Sequence, residues 1–97
     1  MRAWLQSELD KFRTDITAAY LFGSSIFPDQ KPRDVDLVVI TMDGAGKPSW
    51  QRVIAYMGNL KTRFDATFRL PLSIMVVTPS EWREIDGIVV RERVSIF

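Results

Sequence analysis

Apolar positions along the chain fall into two rhythms, a helical stripe and a short continuous run, and the places where one gives way to the other mark out the elements. Leu5, Leu9 and Phe12 stand at helical spacing among polar residues and predict an amphipathic helix over 2–14. Residues 17–22 (TAAYLF) form a short apolar run that stops at Gly23, as a buried strand stops at a turn. The stretch SSIFPDQKPR carries two prolines and cannot continue a central strand, so it reads as a loop. Residues 35–41 (VDLVVIT) give the clearest strand in the chain. Pro48 suits the first position of a helix, and Trp50, Val53, Ile54, Met57, Leu60 and Phe64 then recur at three- and four-residue spacing as a core stripe. Residues 71–77 (PLSIMVV) predict a third strand. Thr78-Pro79-Ser80-Glu81 is a capping box that opens a short helix over 79–85. The tail GIVVRERVSIF alternates only in part, because Glu92 falls among Val90, Val94 and Ile96, and it predicts an edge strand.

The order α-β-β-α-β-α-β implies an α/β (α+β) fold, a small mixed sheet with helices packed on it. At 97 residues the chain has the size of one domain, 1–97, able to bury roughly 60–70% of its unfolded surface. Hydrophobic residues at 46% and charged residues at 26% place it among folded globular proteins. No internal repeat, low-complexity stretch or linker interrupts it.

Charge and side-chain chemistry narrow the function. A formal net charge of +1 supplies no global field to recruit nucleic acid or an anionic membrane. The chain has no cysteine, which excludes disulfide and thiolate chemistry and fits a reducing compartment. It also has no histidine, so catalysis would fall to carboxylates, lysines, tyrosines or metal-bound water. Arg2, Glu8, Asp10 and Lys11 interrupt the N-terminal stretch, which therefore lacks the apolar run of a signal peptide or membrane span; a cytoplasmic protein is expected. The Gly-Lys-Pro-Ser of MDGAGKPS is not a phosphate-binding P-loop. Thr41 stands where that motif needs a glycine, and Pro48 stands where it needs Ser or Thr.

The stretch YLFGSSIFPDQKPRDVDLVVI carries the candidate chemistry. Asp34 and Asp36 are separated by one residue at the start of a strand, so both project from one face. Two adjacent carboxylates repel unless a cation lies between them, and magnesium takes oxygen ligands from one or two carboxylates together with substrate phosphates. The competing reading is a pair of solvated carboxylates at a strand's start. Nine residues, 25–33, separate Ser24 from Asp34. If the two strands pair antiparallel, Gly23-Ser24 and the aspartates meet at one end of the sheet. There a glycine would let backbone approach a phosphate, while amides and the hydroxyls of Ser24 and Ser25 could donate to its oxygens. Taken alone, Gly-Ser is more often a plain turn.

The constellation LFGS–x9–DVDL, on this strand pattern, resembles the core motif of the nucleotidyltransferase superfamily related to DNA polymerase β. Among its branches it most resembles the small minimal nucleotidyltransferases of bacteria, which are often paired with a helical HEPN-type partner in toxin–antitoxin systems. The similarity covers about residues 15–82. The resemblance implies transfer of a nucleoside monophosphate from an NTP, ATP first among them, to a hydroxyl, with pyrophosphate leaving. It implies that Gly23, Ser24 and Ser25 hold the triphosphate and that Asp34 and Asp36 ligate magnesium.

One family feature is missing. Active relatives carry a third carboxylate on the next core strand, and the position aligned with it here is Ser73. Asp65, Glu81 and Glu84 are the nearby acidic residues that could substitute. Two functions of different class follow: an active transferase using two magnesium ions, or a degenerate member that binds Mg–NTP through one ion or serves as an antitoxin-like protein-binding module. Lys31 and Arg33 precede the aspartates and could meet phosphate oxygens or stay solvated. Arg91 and Arg93 suit protection of the edge strand or acceptor binding. Because Phe97 directly follows Ser95-Ile96, the last strand is a candidate surface for a homodimer or partner contact.

Overall fold

The structure, a computed structural model, describes residues 1–26, 33–88 and 90–97, with the backbone alone of Ser24 and Ser25. The elements are α1 (Arg2–Asp10), β1 (Ile16–Phe22), a 3₁₀ turn (Gly23–Ile26), β2 (Val35–Thr41), α2 (Pro48–Phe68), β3 (Leu72–Val77), α3 (Pro79–Ile85) and β4 (Arg93–Ser95). They build a mixed four-stranded sheet in the order β3-β2-β1-β4, with β1 antiparallel to both neighbours and β2 parallel to β3. The mixed α+β architecture and element order are those expected from the apolar pattern.

Alternation along the strands sorts the core into two layers. Val35, Leu37 and Val39 of β2, with Ala19 and Leu21 of β1, pack under Leu5 and Leu9 of α1 and Val53, Met57, Leu60 and Phe64 of α2. The intervening residues Val38 and Ile40, with Val77 of β3, face the other way and pack with Tyr20, Met75, Trp82 and Ile85. Thus α1 and α2 cover one face of the sheet and α3 covers part of the other. β2 is buried on both faces, which is why its sequence is a continuous apolar run.

Local signals set the helix ends. The Thr78 capping box is complete: the Thr78 hydroxyl accepts from the Glu81 amide, and the Glu81 carboxylate accepts from the Thr78 amide at 2.8 Å. At α2 the capping is indirect. Lys47 occupies the cap position without a side-chain bond, and the Asp43 carboxylate takes the Ser49 and Trp50 amides at 3.1 and 2.9 Å. The loop MDGAGKPS therefore serves to start a helix.

Three expectations need correction. α1 ends at Asp10 rather than residue 14, and the chain continues in hydrogen-bonded turns through which Phe12 still reaches Tyr56, with ring centroids 4.6 Å apart. Ile54 is not part of the buried stripe. It follows Val53 by one residue, about 100° round the helix, and is 42% exposed. The tail forms a strand only over Arg93–Ser95. Before it, Gly87 at φ +80° turns the chain, and an isolated bridge joins Asp86 to Val90.

Candidate functional site

β1 pairs with β2 so that Phe22 stands opposite Asp36, which brings the end of β1 and the start of β2 to the same end of the sheet. Gly23 follows at φ +76°, a left-handed conformation that side chains other than glycine's adopt at a cost. A Cβ on Gly23 would lie 2.4 Å from Asp36 Oδ2 and 3.3 Å from its Cγ. Conformation and space therefore both require glycine. The expected meeting of Gly23 with the start of β2 occurs, and the Asp36 carboxylate fills the space that a side chain at position 23 would need.

Asp34 and Asp36 are half-buried. Burial raises the Asp36 carboxyl above the usual carboxylate range, and the nearby Asp34 charge pushes it further the same way. Among the described residues, no lysine or arginine pairs with either aspartate. The ion pairs formed there use Glu8, Asp10, Asp15 and Asp86. Asp34 stands in the bend just before β2 rather than on the strand itself, yet its charge reaches Asp36. Two neighbouring carboxylates, one of them desolvated and neither in an ion pair among the described residues, are a donor set suited to a hard divalent cation. Arg33 beside them is exposed, whereas Lys31 lies outside the described residues.

The parallel pairing of β2 with β3 sets Ser73 against Asp36. Ser73 is exposed and shares its face with Asp36, so the neighbouring strand offers a hydroxyl where a third carboxylate would stand. None of the acidic substitutes forms a three-carboxylate group with the aspartates among the described residues. Asp65 lies on α2, on the opposite face of the sheet; it lines an open cleft of about 320 Å³ at the β3 edge with Lys61, Thr62, Pro71, Leu72 and Ser73. Glu81 is engaged in the α3 cap, five residues or about 16 Å further along β3 from Ser73. Glu84 is exposed on α3, and among the described residues no group of three acidic side chains is placed to hold a metal.

Two buried acidic networks escaped the sequence reading, and both are structural. Glu8 of α1 is gripped by Arg63 through two bonds of 2.7 Å, by the Tyr56 hydroxyl and by Lys11 at 3.1 Å. Hydrogen bonds from Arg63 and Tyr56 lower its pKa to about 2. Asp15 accepts from Arg52 at 2.6 Å and from the Ser49 hydroxyl at 2.7 Å, and these bonds lower its pKa. Their partners lie 34 to 55 residues away in sequence, so only Lys11, three residues after Glu8, was a local sign.

The sheet order and the helices on its two faces give a nucleotidyltransferase-like α+β fold. A solved structure, "Crystal structure of putative nucleotidyltransferase", has the same fold: it superposes with a TM-score of 0.61 at 18% identity, covering 95% of this chain and 92% of that one. No family model matches the sequence, and no curated protein matches it. No helix among the described residues is long and apolar enough to cross a membrane.

Proposed function

We propose that the protein binds a magnesium–nucleoside triphosphate, ATP in the first instance, at the Gly23 end of the sheet and transfers its nucleoside monophosphate to a hydroxyl acceptor. Asp34 and Asp36 would ligate the metal, and the turn carrying Gly23, Ser24 and Ser25 would hold the triphosphate. The observation that carries this reading is the Asp36 carboxylate, packed on a glycine that tolerates no side chain and left with Asp34 without a cation among the described residues. A metal ion would supply the missing charge and polarise the phosphate it bridges.

A second reading is favoured by Ser73. With a hydroxyl beside Asp36 and no third carboxylate nearby among the described residues, one ion is better supported than two. Loss of the second ion costs turnover before it costs binding, because the first two carboxylates and the phosphates still hold one metal. In this reading the protein is a nucleotide-binding or protein-binding module, antitoxin-like, with a helical HEPN-type partner or a second copy of itself.

Calorimetric titration of Mg–ATP and Mg–GTP into the protein and into Asp36→Asn tests the site. Magnesium-dependent binding by the unmodified protein, lost in the variant, is expected. Absence of binding by the unmodified protein overturns the nucleotide reading and leaves the protein-binding module.

A further inference from the structure

One rung of the sheet crosses all four strands on the face that carries Asp36. Ser73 is in register with Asp36, Asp36 with Phe22, and Phe22 with Arg93. Partners in register project to the same side, and strands are spaced about 4.8 Å apart, so Arg93 roots about 10 Å from Asp36 across the same surface. The turn Gly23–Ile26 contacts both β2 and β4, so it lies between these two positions.

On this face the Arg93 guanidinium is held by three side chains. Its guanidinium carbon lies 4.7 Å from the Tyr20 ring centroid and 5.0 Å from that of Trp82. The two rings stack on each other at 5.5 Å and 15°. Asp86, just beyond the end of α3, forms an ion pair with Arg93 through one nitrogen, Nη1. Contact with ring faces holds a guanidinium without using its N–H donors, and a guanidinium has five of these. The Arg93 and Asp86 side chains remain 30% and 41% exposed, so their ion pair is weakly held and open to exchange for another anion.

Resting on the Mg–NTP reading above, we infer that Arg93 is a second anchor of that site, a substrate-binding residue for the phosphates of the triphosphate chain furthest from the metal. The dicarboxylate with its ion would fix one end of a polyphosphate, the glycine turn its middle, and the guanidinium held against Tyr20 and Trp82 its far end. A ligand with a single phosphate held at the metal would not engage both anchors. Asp86 is then a competitor: it occupies one arm of Arg93 in the free protein and is displaced when phosphate binds. Edge protection alone requires neither the ring contacts nor a place on the Asp36 rung.

The test is titration of Mg–ATP and Mg–AMP into the unmodified protein, Arg93→Gln and Asp86→Asn, with thermal melts of each to confirm folding. Loss of a charged hydrogen-bond donor should weaken Mg–ATP by about tenfold or more in Arg93→Gln while leaving Mg–AMP unchanged. Asp86→Asn should bind Mg–ATP more tightly than the unmodified protein. A purely structural Arg93 would lower the melting temperature in both variants and leave the ATP-to-AMP affinity ratio where it was, and that result overturns the inference. Equal weakening of ATP and AMP in Arg93→Gln overturns it also. If Arg93→Gln fails to fold, Asp86→Asn decides, since unchanged or weaker ATP affinity there contradicts competition. Failure of the unmodified protein to bind Mg–ATP defeats the Mg–NTP reading itself, whereas binding that is indifferent to Arg93 defeats this inference alone.

Discussion

Gly23 and Asp36 are packed so closely that the smallest side chain on the first would overlap the carboxylate of the second, with a Cβ only 2.4 Å from Oδ2. Gly23 opens the turn after β1 and Asp36 lies near the start of the antiparallel β2, so the pair joins the turn to that strand. A conformational requirement and a steric one coincide at Gly23, and they can be separated. Gly23→Ala should destabilise the fold by about 1–2 kcal/mol for the left-handed backbone, with a further loss from the displaced carboxylate. In an Asp36→Ala background the second part should vanish, so the two substitutions will be non-additive in a double-mutant cycle followed by denaturant unfolding. Additive losses would mean that the contact carries no energy.

Asp36 itself should be a liability to the metal-free protein. Its folded pKa is raised, first by burial and then by Asp34, so the neutral form is favoured in the native state. Stability from this group is therefore present below the ordinary aspartate pKa and is lost as pH rises through the raised value. Asp36→Asn should remove that loss and raise the melting temperature of the metal-free protein at neutral pH by about 2–4 °C, as expected from ~0.5 kcal/mol of like-charge repulsion in a domain this size. Saturating magnesium should stabilise the unmodified protein and leave the variant unmoved. Thermal melts with magnesium and with chelator read both effects, and a variant less stable than its parent in chelator would contradict the electrostatic account.

The opposite sign applies to Glu8. Arg63 and Tyr56 hold its pKa at about 2, below the ordinary 4.5, so its stabilisation is complete above the ordinary value and fades as pH falls towards about 2. Glu8→Gln should cost about 1–3 kcal/mol at neutral pH through the loss of charged hydrogen bonds. The difference between parent and variant should narrow steadily below about pH 5. Urea unfolding across that range checks it, and a gap independent of pH would assign the loss to packing instead.

The contrast between these acidic groups explains what could be read from the chain. Strand β2, the capping box at Thr78 and the proline start of α2 depend on residues within a few positions of one another, so the sequence displays them directly. The aspartate pair was visible for the same reason, and Ser73 could be placed beside it because two apolar runs of known direction fix a register. The Glu8 and Asp15 networks join elements distant in sequence, and no periodicity announces them. The brevity of β4 was equally hidden. Arg93–Ser95 pairs with β1, but the preceding residues turn at Gly87, and an alternating tail does not distinguish these outcomes.

Ser73 is where the candidate site departs most from an active transferase, and it offers a gain-of-function test. Ser73→Asp would place a third carboxylate on the rung with Asp36, on an exposed strand position where the longer side chain meets no core. Without metal, the added charge should repel the existing pair and lower the melting temperature by a few degrees, about 0.5–1 kcal/mol. With magnesium the order should reverse, because three carboxylates and the phosphates can hold two ions where two carboxylates hold one. The magnesium-dependent rise in melting temperature should therefore be larger in Ser73→Asp than in its parent. Release of pyrophosphate from Mg–ATP with a hydroxyl acceptor should appear or increase. A variant that gains metal affinity but no turnover would place the deficit in the acceptor side of the site. One that gains neither would show that Asp36 and position 73 do not share an ion, despite their register.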